Sequence, residues 1–262
     1  MAIKLGYMKI YVNYCFNDDV KVGQDPDKLS QKLAIHHQIL WSKKTASGND
    51  LKFTPSFENG AYRLHYLVNG IDKIATSDCI ANSHIENNKS KKYTEYREKM
   101  KKELPGKEEE YERIGRTIGG HIIFPGIVEP GANRTINVIR GLVMKDRIDL
   151  TLEAIKRFYD DSEDKNPLIN VLNATKYFYD LFGSFKNFID FFLLNDYVDD
   201  NYNVKFLLPF SGSFSDAHYE PRNYDECKIL TIKTIELCKK RNDRIFNFCI
   251  SNNIPVEKFS QD

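Results

Sequence analysis

Residues Tyr62–Thr76 read YRLHYLV-NG-IDKIAT. Two runs rich in aromatic and aliphatic residues flank Asn69-Gly70. Asn-Gly readily adopts the positive φ values of a type I′ turn, whose twist matches that of paired strands. The stretch therefore predicts a β-hairpin, Tyr62–Val68 against Ile71–Thr76.

Toward the N-terminus, Tyr7, Lys9 and Tyr11 alternate with Met8, Ile10 and Val12, which predicts a strand over Tyr7–Val12. Ser30 is placed to cap a helix that carries Leu33, Ile35, His36, Ile39 and Leu40 and runs to Trp41. Ser47-Gly48-Asn49-Asp50 closes that segment. Beyond the hairpin, Lys89–Leu104 predicts a charged helix with a narrow stripe of Tyr93, Tyr96, Met100 and Leu104. Pro105-Gly106 stops it, and a second helix starts within Glu108–Ile114. Six of the fourteen glycines fall between Gly115 and Gly141, where His121–Phe124 and Thr135–Ile139 read as short buried strands. The loop joining them holds Pro125-Gly126 and Pro130-Gly131.

The rest reads as mainly helical. Asp149 is placed to cap a helix to Tyr159, and Pro167 to open one that ends at Phe182-Gly183. Phe185–Val198 is apolar on nearly all sides and reads as a central buried helix. A late strand is expected over Val204–Phe210 and a long helix over Asp225–Ile250. Single strands and helices alternate too poorly for a doubly wound sheet. The expectation is a single domain over residues 1–262, of α+β class. Its sheet is small and mostly antiparallel, with a helical C-terminal half packed on it.

Composition narrows the function classes. Thirty-eight Lys and Arg against thirty-seven Asp and Glu leave a formal net charge of +1, which argues against coating nucleic acid by bulk electrostatics. No apolar run approaches the ~20 residues a membrane-spanning helix needs. Five cysteines form no disulfide framework, and Cys227, Cys238 and Cys249 recur every eleven residues on one helical face, as small core residues. A cytoplasmic protein without a membrane anchor is expected.

Several stretches carry a resemblance. They are DPDKLS (Asp25–Ser30), LWSK (Leu40–Lys43), TIGGHIIFPG (Thr117–Gly126), TINVIRG (Thr135–Gly141), DRIDLTLEAIKR (Asp146–Arg157) and FFLLND (Phe191–Asp196). In that order they resemble an uncharacterised bacterial family of intracellular proteins, a domain of unknown function. The resemblance implies no activity.

The principal candidate site is the polar set around Gly119 and Gly120: Asn137, Arg140, Arg147, Asp149, Glu153 and Arg157. Glycines let backbone approach a ligand closely, and guanidinium groups present forked donors that match phosphate. In this reading Arg140 and Arg147 clamp an anion and Asn137 reads the ligand. Asp149 or Glu153 serves as general base or, with Mg2+, as metal ligand. Glu153 and Arg157, four apart on one helix face, pair. Asp25, Asp27, Asp149, Glu153, Asp196, Asp199 and Asp200 form a second, acidic candidate set around Mg2+; alternatively Asp196 ends a helix and pairs with an arginine. No Walker loop, HExxH or GxSxG is present.

Two functions are expected from different classes. One binds or acts on a phosphate-bearing ligand, a nucleotide or nucleic acid. The other is a non-catalytic protein-interaction component, of a kind that suits phage defence, whose arginines brace the fold.

Overall fold

The computed structural model describes residues 9–81, 90–126, 135–162 and 165–258. The predicted hairpin forms as strands β3 (Ala61–Val68) and β4 (Ile71–Cys79). Asn69 at φ 51° and Gly70 at φ 77° make its turn. A second Asn-Gly turn, Asn59 at φ 51° and Gly60 at φ 76°, adds strand β2 (Thr54–Glu58) ahead of it. Strand β5 (His121–Pro125) completes an antiparallel sheet of order β2-β3-β4-β5. Tyr7 and Met8 of the expected N-terminal strand lie outside the described residues. Strand β1 (Ile10–Tyr11) does not join this sheet: it pairs in parallel with β6 (Val256–Glu257).

The sheet forks. β3 and β4 are paired from Val68↔Ile71 to Leu64↔Ala75. Toward its start β3 stays with β2, down to Ala61↔Glu58, while β4 continues with β5, out to Cys79↔His121. Helix α1 (Pro26–Leu29) packs against both β3 and β4 at this fork.

Helix α2 (Gln31–Trp41) begins as expected, with the Ser30 hydroxyl accepting from the Leu33 amide at 2.9 Å. Helices α3 (Lys91–Glu103) and α4 (Lys107–Gly115) follow the hairpin, again as expected. Thr135–Ile139 is not a strand. The Thr135 hydroxyl caps helix α5 (Ile136–Met144), whose buried Ile136, Arg140 and Met144 recur at helical spacing. The chain of β-branched residues there masks a 3.6-residue period. Helix α6 (Ile148–Tyr159) starts after Arg147, so Asp149 lies in its first turn and is not its cap.

The expected helix from Pro167 to Phe182 is broken at Thr175 into α7 (Ile169–Ala174) and α8 (Lys176–Tyr179), and Gly183 turns the chain at φ 73°. The apolar segment after it is helical only over α9 (Phe185–Phe191), because Leu193 takes φ 55° and turns the chain. Val204–Phe210 forms no strand, only a single bridge from Val204 to Val198. Helix α10 (Tyr224–Ser251) closes the fold against α4 and the Ile118–Gly120 turn. Trp41, Phe178, Phe182, Phe188, Phe191 and Phe192 pack edge-on and tilted in the core. All five cysteines are free and buried.

Candidate functional site

The glycine and arginine set proves to be internally matched. Arg147 is 1 % exposed, and its Nε and Nη2 donate to the two Asp149 oxygens at 2.8 and 2.5 Å. Its Nη1 donates to the His218 carbonyl, and Asp149 also accepts from the Leu207 amide. Leu207 lies where a late strand was expected, so its amide serves a carboxylate instead of a ladder. Arg140 is fully buried and donates to Asp78, to the Thr151 hydroxyl and to the Asp146 carbonyl. Glu153 pairs with Arg157 at 2.7 Å, as their spacing predicts. Every nitrogen of both guanidiniums donates within the chain and both side chains are buried, so neither is presented to an anion.

Gly119 and Gly120 serve close backbone packing. A Cβ on Gly120 would stand 2.0 Å from the Gly115 carbonyl oxygen, and one on Gly119 would stand 2.5 Å from the Cys238 carbonyl. The acidic candidates also disperse. Asp196 is held by both forks of Arg244, as the alternative reading expected. Asp199 accepts from the Asn201 and Asn203 amides. Asp25 and Asp27 line the same cavities. Among the described residues, no three His, Cys, Asp or Glu side chains are grouped to hold a metal ion.

What the fold assembles instead is a pocket at the fork of the sheet. Two adjoining cavities, about 660 and 550 Å3, share Asp25, Asp27, Asp78 and Asp146. The larger runs under the Asn17–Pro26 loop to Cys79 and Arg116. The smaller lies between Tyr62 and Arg63 on β3, Thr76–Asp78 on β4 and Asn137–Leu142 on α5. Asn137, an expected ligand-binding residue, thus lines this cavity without being fully matched. Its Nδ2 donates to the Ser77 carbonyl, and its Oδ1 is buried without a partner.

Asp27 is at the centre. The Asp25 carboxylate caps helix α1 by accepting from the Asp27 amide, which fixes where Asp27 points. Burial, helped by Asp25, pushes the Asp27 carboxyl up to about 6. Burial also pushes Asp78 up to about 7, against the pull of Arg140. Their side chains stay 12 % and 19 % exposed, so the pocket reaches both. Two carboxyls near neutrality in one cleft are suited to giving and taking protons at physiological pH.

A hydrogen-bonded chain sets the proton positions behind Asp27. The Trp41 indole, which only donates, gives its N–H to His37 Nδ1 at 3.0 Å. Burial holds the His37 pKa well below its ordinary value, so the ring is neutral and its proton sits on Nε2, 3.0 Å from the Ser77 hydroxyl. That hydroxyl donates to Asp27 Oδ1 at 2.6 Å. On the other side His121, lowered to about 3 by burial, gives its Nδ1 proton to the Thr117 carbonyl. Its Nε2 lone pair is left buried and unmatched, 3.5 Å from Asp27 Oδ1. Two acceptors facing one another favour a proton on Asp27.

Sequence reading missed Asp78, Asp146, Ser77, Arg116 and Arg63 in this pocket. One signal was available. The polar run Thr76-Ser77-Asp78 ends a strand, where Asp is disfavoured unless something holds it.

A family model, the family of unknown function DUF6994, matches residues 10–245. The chain belongs to this family. Neither the curated proteins nor the solved structures include a match to it. No helix among the described residues is long and apolar enough to cross a membrane.

Proposed function

We propose that this DUF6994 member binds a small polar molecule in the fork pocket and exchanges protons with it through Asp27 and Asp78. The observation that carries the reading is their convergence. Two carboxyls from separate elements, raised to about 6 and about 7 by burial, line the same cavities. Asp27 draws on the Ser77 and His37 chain, and Asp78 is oriented by Arg140. The pocket volume falls in the range usual for small-molecule sites, roughly 300–1,000 Å3. A phosphate clamp built on Arg140 and Arg147 has lost its support, because both groups are spent on internal partners. That same pairing favours one part of the non-catalytic alternative, namely that these arginines are braces. Nothing in the pairing points to a protein partner or to defence.

The test is a thermal-shift screen of polar metabolites on the wild-type chain, Asp27→Asn and Asp78→Asn, followed by calorimetry of each hit. A ligand of the native state raises its melting temperature. The expected hit stabilises wild type by several degrees and Asp27→Asn by less than half as much. Its binding heat in wild type varies with the ionisation enthalpy of the buffer, which reports proton exchange. Hits that are indifferent to both substitutions and to the buffer would sink the reading.

A further inference from the structure

We infer that the smaller cavity of the fork takes a molecule joining an N–H-bearing planar ring to a phosphate, the chemistry of a mononucleotide. The inference rests on the fork pocket being the ligand site and names what enters it.

Three observations converge on that chemistry. Arg63 is half-buried on β3 and lines the cavity, and among the described residues its guanidinium makes no hydrogen bond or ion pair. It differs in this from Arg140 and Arg147, which are sealed. A guanidinium held at a cavity wall with its donors unspent is a receptor for an anion, and its fork matches phosphate. Lys28, also in the wall, is paired with Asp25 at 3.6 Å, so the charge that meets the anion rests on Arg63.

Asn137 supplies the second. Its amide is oriented by two donations from Nδ2, to the Ser77 carbonyl at 3.0 Å and the Thr76 hydroxyl at 3.3 Å. Oδ1 lies buried beside the cavity without a donor, and a small turn of the amide toward the cavity would bring it to a ligand N–H, the partner it lacks.

The third is the apolar wall. Val138 and Leu142, one helical turn apart on α5, are 48 % and 51 % exposed and line the cavity opposite Tyr62. A planar ring packs against such a surface while its edge meets Asn137.

Calorimetry on the full chain tests this with uridine 5′-monophosphate and guanosine 5′-monophosphate, against uridine and inorganic phosphate alone. At least one monophosphate is expected to bind tenfold or more tighter than uridine and than phosphate. Arg63→Gln is expected to erase that ratio while leaving uridine binding in place. Among the described residues it strands no partner, and its melting curve checks that it folds. No binding of either monophosphate, equal affinity for uridine or for phosphate, or a ratio that survives Arg63→Gln would each overturn the proposal. The two readings fail separately. Monophosphate binding without proton exchange removes the acid–base role and keeps the ligand class. Proton exchange with a different ligand does the reverse.

Discussion

Asp27 sits where burial, a neighbouring carboxylate and the bare nitrogen of His121 all act against its ionised form. A carboxyl whose folded pKa is raised disfavours the native state as pH climbs from its unfolded value, about 3.9, toward the folded one. Here that window runs from about 4 to about 6. Stability associated with the protonated form is complete below the window and is lost through it. Asp27→Asn removes the titration. Its melting temperature relative to wild type should rise across that interval and level off above it, whatever constant offset the lost Ser77 contact adds. A difference that stays flat from pH 4 to 7 would show that Asp27 ionises without cost. Asp27 was legible in the sequence only as one of seven scattered acids. Its role depends on Ser77, Asp78 and His121, which lie 50 or more residues away, and no local pattern encodes that approach.

Among the elements, the turns and caps follow local rules and the glycine block does not. Asn69-Gly70 and Ser30 act through their own backbone neighbours, so both were readable. Gly119 and Gly120 were read as room for a ligand, yet they make room for Gly115, Cys238 and Asn242. The distinction rests on which backbone arrives there, a matter of tertiary packing. Gly120→Ala should therefore cost about 1–3 kcal/mol of unfolding free energy, the usual range for overpacking. Urea denaturation measures it. A neutral result would mean that the 2.0 Å approach to the Gly115 carbonyl relaxes freely. Thr135–Ile139 misled for a related reason. β-Branched residues prefer strands, but a capping hydroxyl and the burial of Ile136, Arg140 and Met144 outweigh a propensity spread of ~1 kcal/mol.

For the molecule as a whole, Arg241 ties the parts together. It is fully buried in the middle of α10 and donates to the carbonyls of Phe192, Gly119 and His121. It thereby links the C-terminal helix to the end of α9 and the start of β5, two segments far apart in sequence. Burial lowers its pKa to about 10, which leaves it charged at neutral pH. Arg241→Met keeps the apolar stem and strands three carbonyl oxygens. The expected loss is about 3 kcal/mol or more, since each unmatched buried group costs about 1–3 kcal/mol. Chemical denaturation followed by circular dichroism reads it, and a loss below about 1 kcal/mol would remove Arg241 as a tie.

The chain by itself determined the α+β class, the hairpin, the capped helix α2, the long C-terminal helix and the Glu153–Arg157 pair. Each depends on periodicity, turn chemistry or helical spacing within a few residues, and such short-range preferences survive in nearly any surroundings. Only the tertiary structure decided that β3 and β4 part company after Leu64 and Ala75, that α1 fills the gap, and that Arg140 and Arg147 face inward. Those outcomes depend on which distant carboxylates and carbonyls reach a given side chain. Burial then decides whether a charge is neutralised by a partner or left near neutrality and ready to exchange a proton.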